Sequence, residues 1–390
     1  MAINARMNHR ARSHRILVTA YGHIADTLPA LTALHDLRGQ FPQSRISVLV
    51  LDYVRELFET SPHVDTVLTF RDFQLKGSRF SKLEQLLRLT QLAPKVFRKF
   101  DMVVILHAHT SFFARVAQLS RAPIRAGFEP SAPRQTLTHR ARPLTTPVGF
   151  REENRHVLEA VGVTACHEHL ELGLAADDMA YVEGILAGEG VHREDTVVGL
   201  HPGSHWTCQE WNAEHWAKIA DELQTSYRAR IVITGTADEK ALAADIIRHM
   251  PSGQTSVINL TGKTSILQFA AMIRRMDLLV CVNSAASQLA LAMGTRAINL
   301  VGYENPVWTA PRPDEPMTIL RGCNDGNTKT SWCPYGIWGR RSGCHRAECT
   351  GIGGLSLITT DMVTRRIQID LDRCNGNIRS EDYAPVFKQV

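Results

Sequence analysis

The sequence predicts an α/β protein built of two doubly wound domains, and three observations carry that expectation. Short, β-branched apolar runs alternate with helix-period segments in both halves, as strand–helix–strand units require. At 390 residues the chain exceeds one ordinary core. Between the halves, ELGLAADDMAYVEGILAGEGVHRED reads as a helix leading out of one sheet and into the next. The division therefore falls within 170–195 and is drawn as 1–180 and 181–390, with the final helical segment a candidate for packing back on the first domain.

Taken in order, the first-half strands are RILVTA at 15–20, RISVLVLD at 45–52 and DMVVILHAH at 101–109. The helical stretches TLPALTALHDLRGQF (27–41) and SFFARVAQLS (111–120) lie between or after them. The second half repeats the theme with TVVGLHPG (196–203), ARIVITG (229–235), SVINLTG (256–262), DLLVCVNS (277–284) and RAINLVG (296–302), each but the last followed by a helical segment. No short-period repeat interrupts the alternation.

Composition narrows the class. No run approaches the roughly 20 apolar residues of a membrane span, and the opening MAINARMNHRARSH lacks the apolar stretch of a secretory signal, so the expected compartment is the cytoplasm. The formal charge of +5 conceals an asymmetry: residues 1–160 hold 23 Lys and Arg against 13 Asp and Glu, and the remainder 21 against 26. The first half should attract an anion, whether a phosphorylated substrate, an acidic membrane surface or a nucleic acid; a solvated basic face is the plain alternative. Basic clusters stand at Arg79–Lys82, Lys95–Lys99 and Arg134–Arg142.

In doubly wound sheets ligands gather at the carboxyl ends of the strands. The turns to inspect are YGHIAD (21–26), HAHTS (107–111), HPGSHWTCQEW (201–211), TGTADE (234–239), VNSAASQ (282–288) and VGYENP (301–306). Asn283, Ser284, Ala285, Ala286 and Ser287 follow a strand, open a helix and are small. A diphosphate can approach the free N–H groups and positive dipole end of such a helix without a metal, although an Asn/Ser helix cap has the same composition.

The order and wording of these turns resemble glycosyltransferase family 9, the bacterial heptosyltransferases. The resemblance rests on ILVTAYGHIADTLPALTAL, FDMVVILHAHTSFFARVAQLSRAPIRAGF and REENRHVLEAVGV in the first half. In the second it rests on GLHPGSHWTCQEWNAEHWAKIADEL, ITGTADEKALA, NLTGKTSILQFAAMIRRMDLLVCVNSAASQLALAMGTRAINLVG and the late cysteines followed by ITTDMVTRRI. It implies a GT-B fold, with two Rossmann-like domains facing across a cleft. It also implies inverting, metal-independent transfer of a sugar from a nucleotide-diphospho-sugar, usually ADP-heptose. The acceptor would bind the first domain, making Gly22, His107, His109 and Arg134 acceptor candidates. The donor would bind the second, through Gly203, Ser204, Gln209, Thr236, Glu239 and the segment Asn283–Gln288. Glu239 stands where the family holds the nucleotide ribose with a carboxylate; a solvated Glu in a helix first turn is the ordinary alternative.

Several positions depart from the family pattern. The acid after the glycine of the first turn, taken there as the general base, is His23 here. An imidazole with an ordinary pKa of roughly 6.5 accepts a proton near neutrality, and Asp26 one turn on could orient it. His23 as a cap or phosphate contact, with Asp26 serving the helix dipole, is the competing reading. The family's phosphate-facing Lys corresponds to Gln209, its Asp to Asn283 and its later His to Gln288. Loss of the Lys cation calls for compensation, from His201, His205 or Arg312, and loss of the Asp charge partly offsets it.

Of eight cysteines, Cys323, Cys333, Cys344 and Cys349 crowd together. Family members often carry such a group, linked in some protein-glycosylating relatives to bound iron. The four could hold structural Zn or Fe, although the paired C-x2-C spacing of a typical site is missing; buried free thiols and disulfides are the alternatives. No cofactor is expected for the chemistry. The expected activity is glycosyl transfer to a lipopolysaccharide core, a protein or a small molecule, with contact at the inner membrane surface. The competing classes are a non-catalytic nucleotide-sugar binding relative and a nucleic-acid-binding protein. The latter would leave the second domain unexplained.

Overall fold

The computed structural model describes residues 13–70, 81–106, 111–128, 136–142, 144, 148–164, 167, 169–204, 211–250, 257–302, 307, 310–322 and 354–374. They divide into two compact units, Met1–Gly173 and Leu174–Val390.

The first unit holds one six-stranded sheet. Its strands are β1 (Arg15–Ala20), β2 (Arg45–Leu51), β3 (Thr66–Phe70), β4 (Met102–Leu106), β5 (Ile124–Phe128) and β6 (His139–Ala141), in the order β3-β2-β1-β4-β5-β6. Every pairing is parallel. The helices are α1 (Ile24–Thr27), α2 (Ala30–Gln40), α3 (Arg55–Glu59), α4 (Ser81–Val96), α5 (Ser111–Ser120) and α6 (Phe150–Glu159). β4 is buried throughout, and β1 and β2 are buried after their first residue. The expected helix at 27–41 breaks at Pro29, which has no N–H to give and so stands at the N-terminal boundary of α2.

The second unit holds β7 (Val197–His201), β8 (Arg230–Ile233), β9 (Val257–Asn259), β10 (Leu278–Val282), β11 (Ala297–Val301) and β12 (Met317–Arg321), in the order β12-β11-β10-β7-β8-β9. These pairings are also all parallel. Numbered within its own unit, each sheet has the order 3-2-1-4-5-6, which places the switch point beside the first strand. The helices are α7 (Ala176–Gly188), α8 (Ala213–Tyr227), α9 (Lys240–Arg248), α10 (Ile266–Arg275), α11 (Ala285–Met293) and α12 (Thr360–Cys374). α7, expected near the boundary, lies wholly in this unit and packs on α10. α12, for which a return to the first domain is one expectation, buries Val363, Ile367 and Leu371 in the second unit's core.

One device fixes the amino edge of both sheets. Asp101, just before β4, accepts the Arg15 backbone N–H at 2.9 Å; Asp277, just before β10, accepts that of Val197 at 2.8 Å. Asp65 does the same for Ile46 before β3, at 2.6 Å. Each carboxylate satisfies an edge donor that the ladder leaves open. Arg15 also bonds Asp101 through its side chain, and that bond leads the interactions holding the carboxyl below its ordinary range.

Candidate active site

With the amino edges occupied, the carboxyl edges carry the turns that can meet a ligand. β1 ends at Ala20, and the chain turns through Gly22 at φ +147°, a conformation that favours glycine. A side chain at Gly22 would also meet Asp26, whose Cβ and Oδ2 lie 2.6 and 2.8 Å from the position of an added Cβ. Tyr53, beyond β2, donates its hydroxyl to the Gly22 carbonyl at 3.0 Å. Tyr21 stacks at 6.2 Å on Phe70 and lies 5.2 Å from Phe113. The turn is thus held from three elements, with His23 exposed on it.

His23 is the N-cap of the four-residue α1, and its backbone N–H donates to Asp26 Oδ2 at 2.9 Å. One Asp26 oxygen therefore braces the turn through the backbone, a contact that residue spacing alone did not specify. Tyr53 is a further contributor that sequence reading missed, since nothing marks a lone Tyr after a strand as a partner of the first turn.

In the second unit, β7 is flanked by β8 and β10, so the turns after these three strands converge. Gly203, after β7, and Gly235, after β8, both border the Glu239 carboxylate. A Cβ at either position would displace that carboxylate, which also accepts the Thr236 backbone N–H at 2.6 Å. Gly203, Thr236 and Glu239 are thus brought together, with Ser204 following Gly203 in the same turn.

His201, the last residue of β7, is buried. Its Nδ1 lies 3.0 Å from Thr234 Oγ1 and its ring stacks on Phe269 at 5.0 Å. With the Thr234 hydroxyl donating to the Leu200 carbonyl, the ring donates through Nδ1 and keeps a lone pair on Nε2. Burial pushes its pKa down to about 4, opposed by the Glu239 charge. His201 is therefore neutral near pH 7 and does not replace the missing Lys cation, against the expectation that names it as one of three substitutes. Of the other two, Arg312 sits 3.9 Å from Asp314 through Nε, and His205 lies outside the described residues.

Beyond β10, the Asn283 side-chain oxygen accepts from buried Asn299 at 3.3 Å. Ser284 caps α11, accepting the Ala286 N–H at 3.3 Å, and Ser287 donates to the Ser284 carbonyl at 2.9 Å. The Ser284 hydroxyl thus fills the ordinary capping role. Asn283, Ser284 and Ala285 remain partly accessible, while Ala286, Ser287 and Gln288 are buried inside the helix. His107, His109, Arg134, Gln209, Cys323, Cys333, Cys344 and Cys349 lie outside the described residues. Among the described residues no group of three or more His, Cys, Asp or Glu is placed to hold a metal ion, and no helix is long and apolar enough to cross a membrane.

Two parallel sheets of this order, one in each unit, give the chain the GT-B fold. The chain belongs to glycosyltransferase family 9 (heptosyltransferase), whose sequence profile matches residues 91–337. It is 22% identical over 303 residues to the lipopolysaccharide core heptosyltransferase OpsX of Haemophilus influenzae, covering 74% of this chain and 79% of that one. In fold it is similar to a family 9 glycosyltransferase from Veillonella parvula, with a TM-score of 0.75, 21% identity and coverage of 93% of this chain and 99% of that one. It is also similar to the E. coli ADP-heptose lps heptosyltransferase II, with a TM-score of 0.68, 17% identity and coverage of 93% and 99%.

Proposed function

We propose that the protein transfers a heptose from ADP-heptose to a hydroxyl of an anionic acceptor, with inversion, and that His23 is the general base. The observation that carries this reading is the exposed His23 on a braced turn at the switch point of the first sheet. As the acceptor oxygen bonds to the anomeric carbon, its proton passes to the imidazole. The bond from that carbon to the diphosphate oxygen breaks, and ADP leaves with the electron pair. Inversion follows from attack opposite the leaving group. Asp26 positions the histidine by holding its backbone N–H.

The donor's ribose hydroxyls meet Glu239 between Gly203 and Gly235, and its diphosphate lies against Asn283, Ser284 and the positive dipole end of α11. An amide at Asn283 suits that anion better than a carboxylate, because it can donate a hydrogen bond and adds no repulsion. The acceptor reading favours a lipopolysaccharide core, a lipid-borne anion met at the inner membrane surface from the cytoplasmic side. It draws on the excess of Lys and Arg in residues 1–160 and on the OpsX likeness.

The test is a thermal-shift panel of nucleotides, followed by turnover. ADP at 100 times its dissociation constant should add about 2.7 kcal/mol of stability, and ADP-heptose with a deacylated core acceptor should release ADP. Binding without release would make the chain a non-catalytic relative; no response to ADP would remove the donor assignment. The cysteine group at 323–349 is proposed as a structural Zn or Fe site. Purified protein should then contain close to one metal per chain, as measured by mass spectrometry of the elements, and metal-free protein with four reactive thiols would defeat that reading.

A further inference from the structure

The turns of the proposed site leave most of the first unit's positive charge without a task, and α4 presents some of it beside exposed apolar side chains. α4 packs on β3 and α5 and buries Leu92 and Val96 completely. Among its described side chains, the outer face exposes large apolar groups. Leu86 is 57% exposed, Leu87 43% and Phe97, the residue after the helix, 44%. The Phe97 N–H donates to the Ala93 carbonyl, so the helical register runs through it. Leu86, Thr90, Pro94 and Phe97 are all exposed and fall on one stripe at 3.6-residue spacing.

That stripe ends in cations. The guanidinium carbons of Arg98 and Arg121 lie 5.4 and 5.9 Å from the centre of the Phe97 ring, and Lys99 is exposed beside them. Arg98 and Arg121 have φ of 54° and 53°, a left-handed backbone at which glycine is the low-energy choice. Two arginines therefore occupy positions where the backbone would favour a residue with no side chain, and both reach the same exposed aromatic. Lys95 is turned inward, bonding the Thr69 carbonyl at 2.6 Å, and adds nothing to this tip.

The geometry points to α4 and its Phe97–Arg98–Arg121 tip as a docking face for an anionic phospholipid bilayer. Leu86, Leu87 and Phe97 enter the boundary between headgroups and acyl chains, while Arg98, Lys99 and Arg121 meet lipid phosphates. An exposed apolar stripe bordered by cations is the pattern of a helix lying in a membrane interface. Charge decides the occupant: a neutral protein partner would use the apolar stripe and leave the cationic tip unmatched. The inference rests on the lipid-borne acceptor reading above, because a surface that presents the acceptor also supplies the bilayer.

The full-length protein is sedimented with vesicles of phosphatidylcholine containing phosphatidylglycerol, and with phosphatidylcholine alone. Binding is expected to the anionic vesicles and to fall as salt rises. The double variant Leu86→Ser/Phe97→Ser should lower the partition coefficient about tenfold or more. Arg98→Gly/Arg121→Gly removes the cations while easing the backbone, and should also weaken binding without loss of fold. Absence of binding to anionic vesicles, or binding indifferent to both variants, would overturn the inference. So would a concentration-dependent dimer that either variant dissolves in the absence of vesicle binding, since the face would then join two copies of the chain. The ADP-induced rise in melting temperature should be the same in all these variants. Its absence from wild type with vesicle binding intact would count against the proposed function and leave the docking face standing.

Discussion

The two units place a histidine after or at the end of their first strand, and the two side chains meet opposite environments. His201 closes β7 itself, so its ring is taken into the second unit, stacked on Phe269 and bonded to Thr234. His23 lies beyond β1, past a glycine whose φ of +147° turns the chain outward, and it stands exposed. The sheets share a strand order and an aspartate device at the amino edge. What differs is the length and backbone of the turn. Topology selects where a histidine can act; a few residues of turn decide whether it meets solvent or serves as a neutral packing and hydrogen-bonding group.

The sharpest way to break this comparison is to remove each imidazole in turn. Positioned general bases contribute roughly 10²–10⁴-fold, so His23→Ala should lower kcat by about that factor with donor affinity nearly unchanged. Asp26→Asn should cost less, and the double variant should be scarcely worse than His23→Ala, as expected for residues acting as one unit. If steady-state kinetics show Asp26→Asn to be the more damaging change, with His23→Ala near wild type, the base is Asp26.

A smaller effect is expected on the donor side. Gly203→Ala places a methyl group where the Glu239 carboxylate lies. Losing a charge-assisted hydrogen bond to a ribose hydroxyl should raise the dissociation constant for ADP about tenfold by calorimetry. Ser284→Glu should weaken ADP binding as well, by bringing a carboxylate toward the diphosphate. Unchanged affinity in both variants would remove these turns from the donor site.

A third effect is on stability rather than activity and concerns His201. An unfolded-state histidine takes up a proton as pH falls through its ordinary 6.5, whereas the folded one resists until about 4. The folded state therefore loses stability as pH drops across that window, by on the order of 3 kcal/mol when complete. His63 and His167, whose pKa values burial also lowers, add to the same slope. The contrast between wild type and His201→Gln in denaturant midpoints from pH 7 to pH 4 isolates the one residue. Parallel curves would show that His201 accepts its proton as readily in the fold as outside it.

Much of the architecture was legible because parallel strands buried on both faces are written as unbroken apolar runs. β1, β2, β4, β7, β8, β9, β10 and β11 all fall within the segments expected. β3, β5, β6 and β12 were not anticipated, and their sequences show why. TVLTF has Thr at two of its five positions and is only partly buried until Phe70. IRAGF contains a charge and a glycine, HRA is three residues long, and MTILR mixes a polar and a charged residue into a short strand. At the site, sequence marked the turns but not their internal bonding. Gly203 beside Glu239 and Tyr53 holding Gly22 are contacts between separate strands' turns, invisible to local pattern. The fate of His201 was hidden for a different reason, since burial depends on Phe269 and Thr234, both remote in sequence.

Among the described residues each sheet is built from its own stretch of chain: β1–β6 precede Gly173 and β7–β12 follow it, with no strand exchanged. This matters during synthesis. At roughly 5–20 residues per second, the second unit takes about ten to forty seconds to emerge after the first. Throughout that interval the amino-terminal half already possesses the partners its six described strands pair with, so it can form its hydrogen-bond ladder on the ribosome before the later apolar runs appear. A nascent chain arrested shortly after the ribosome exit tunnel has cleared position 173 should therefore resist protease across the first half.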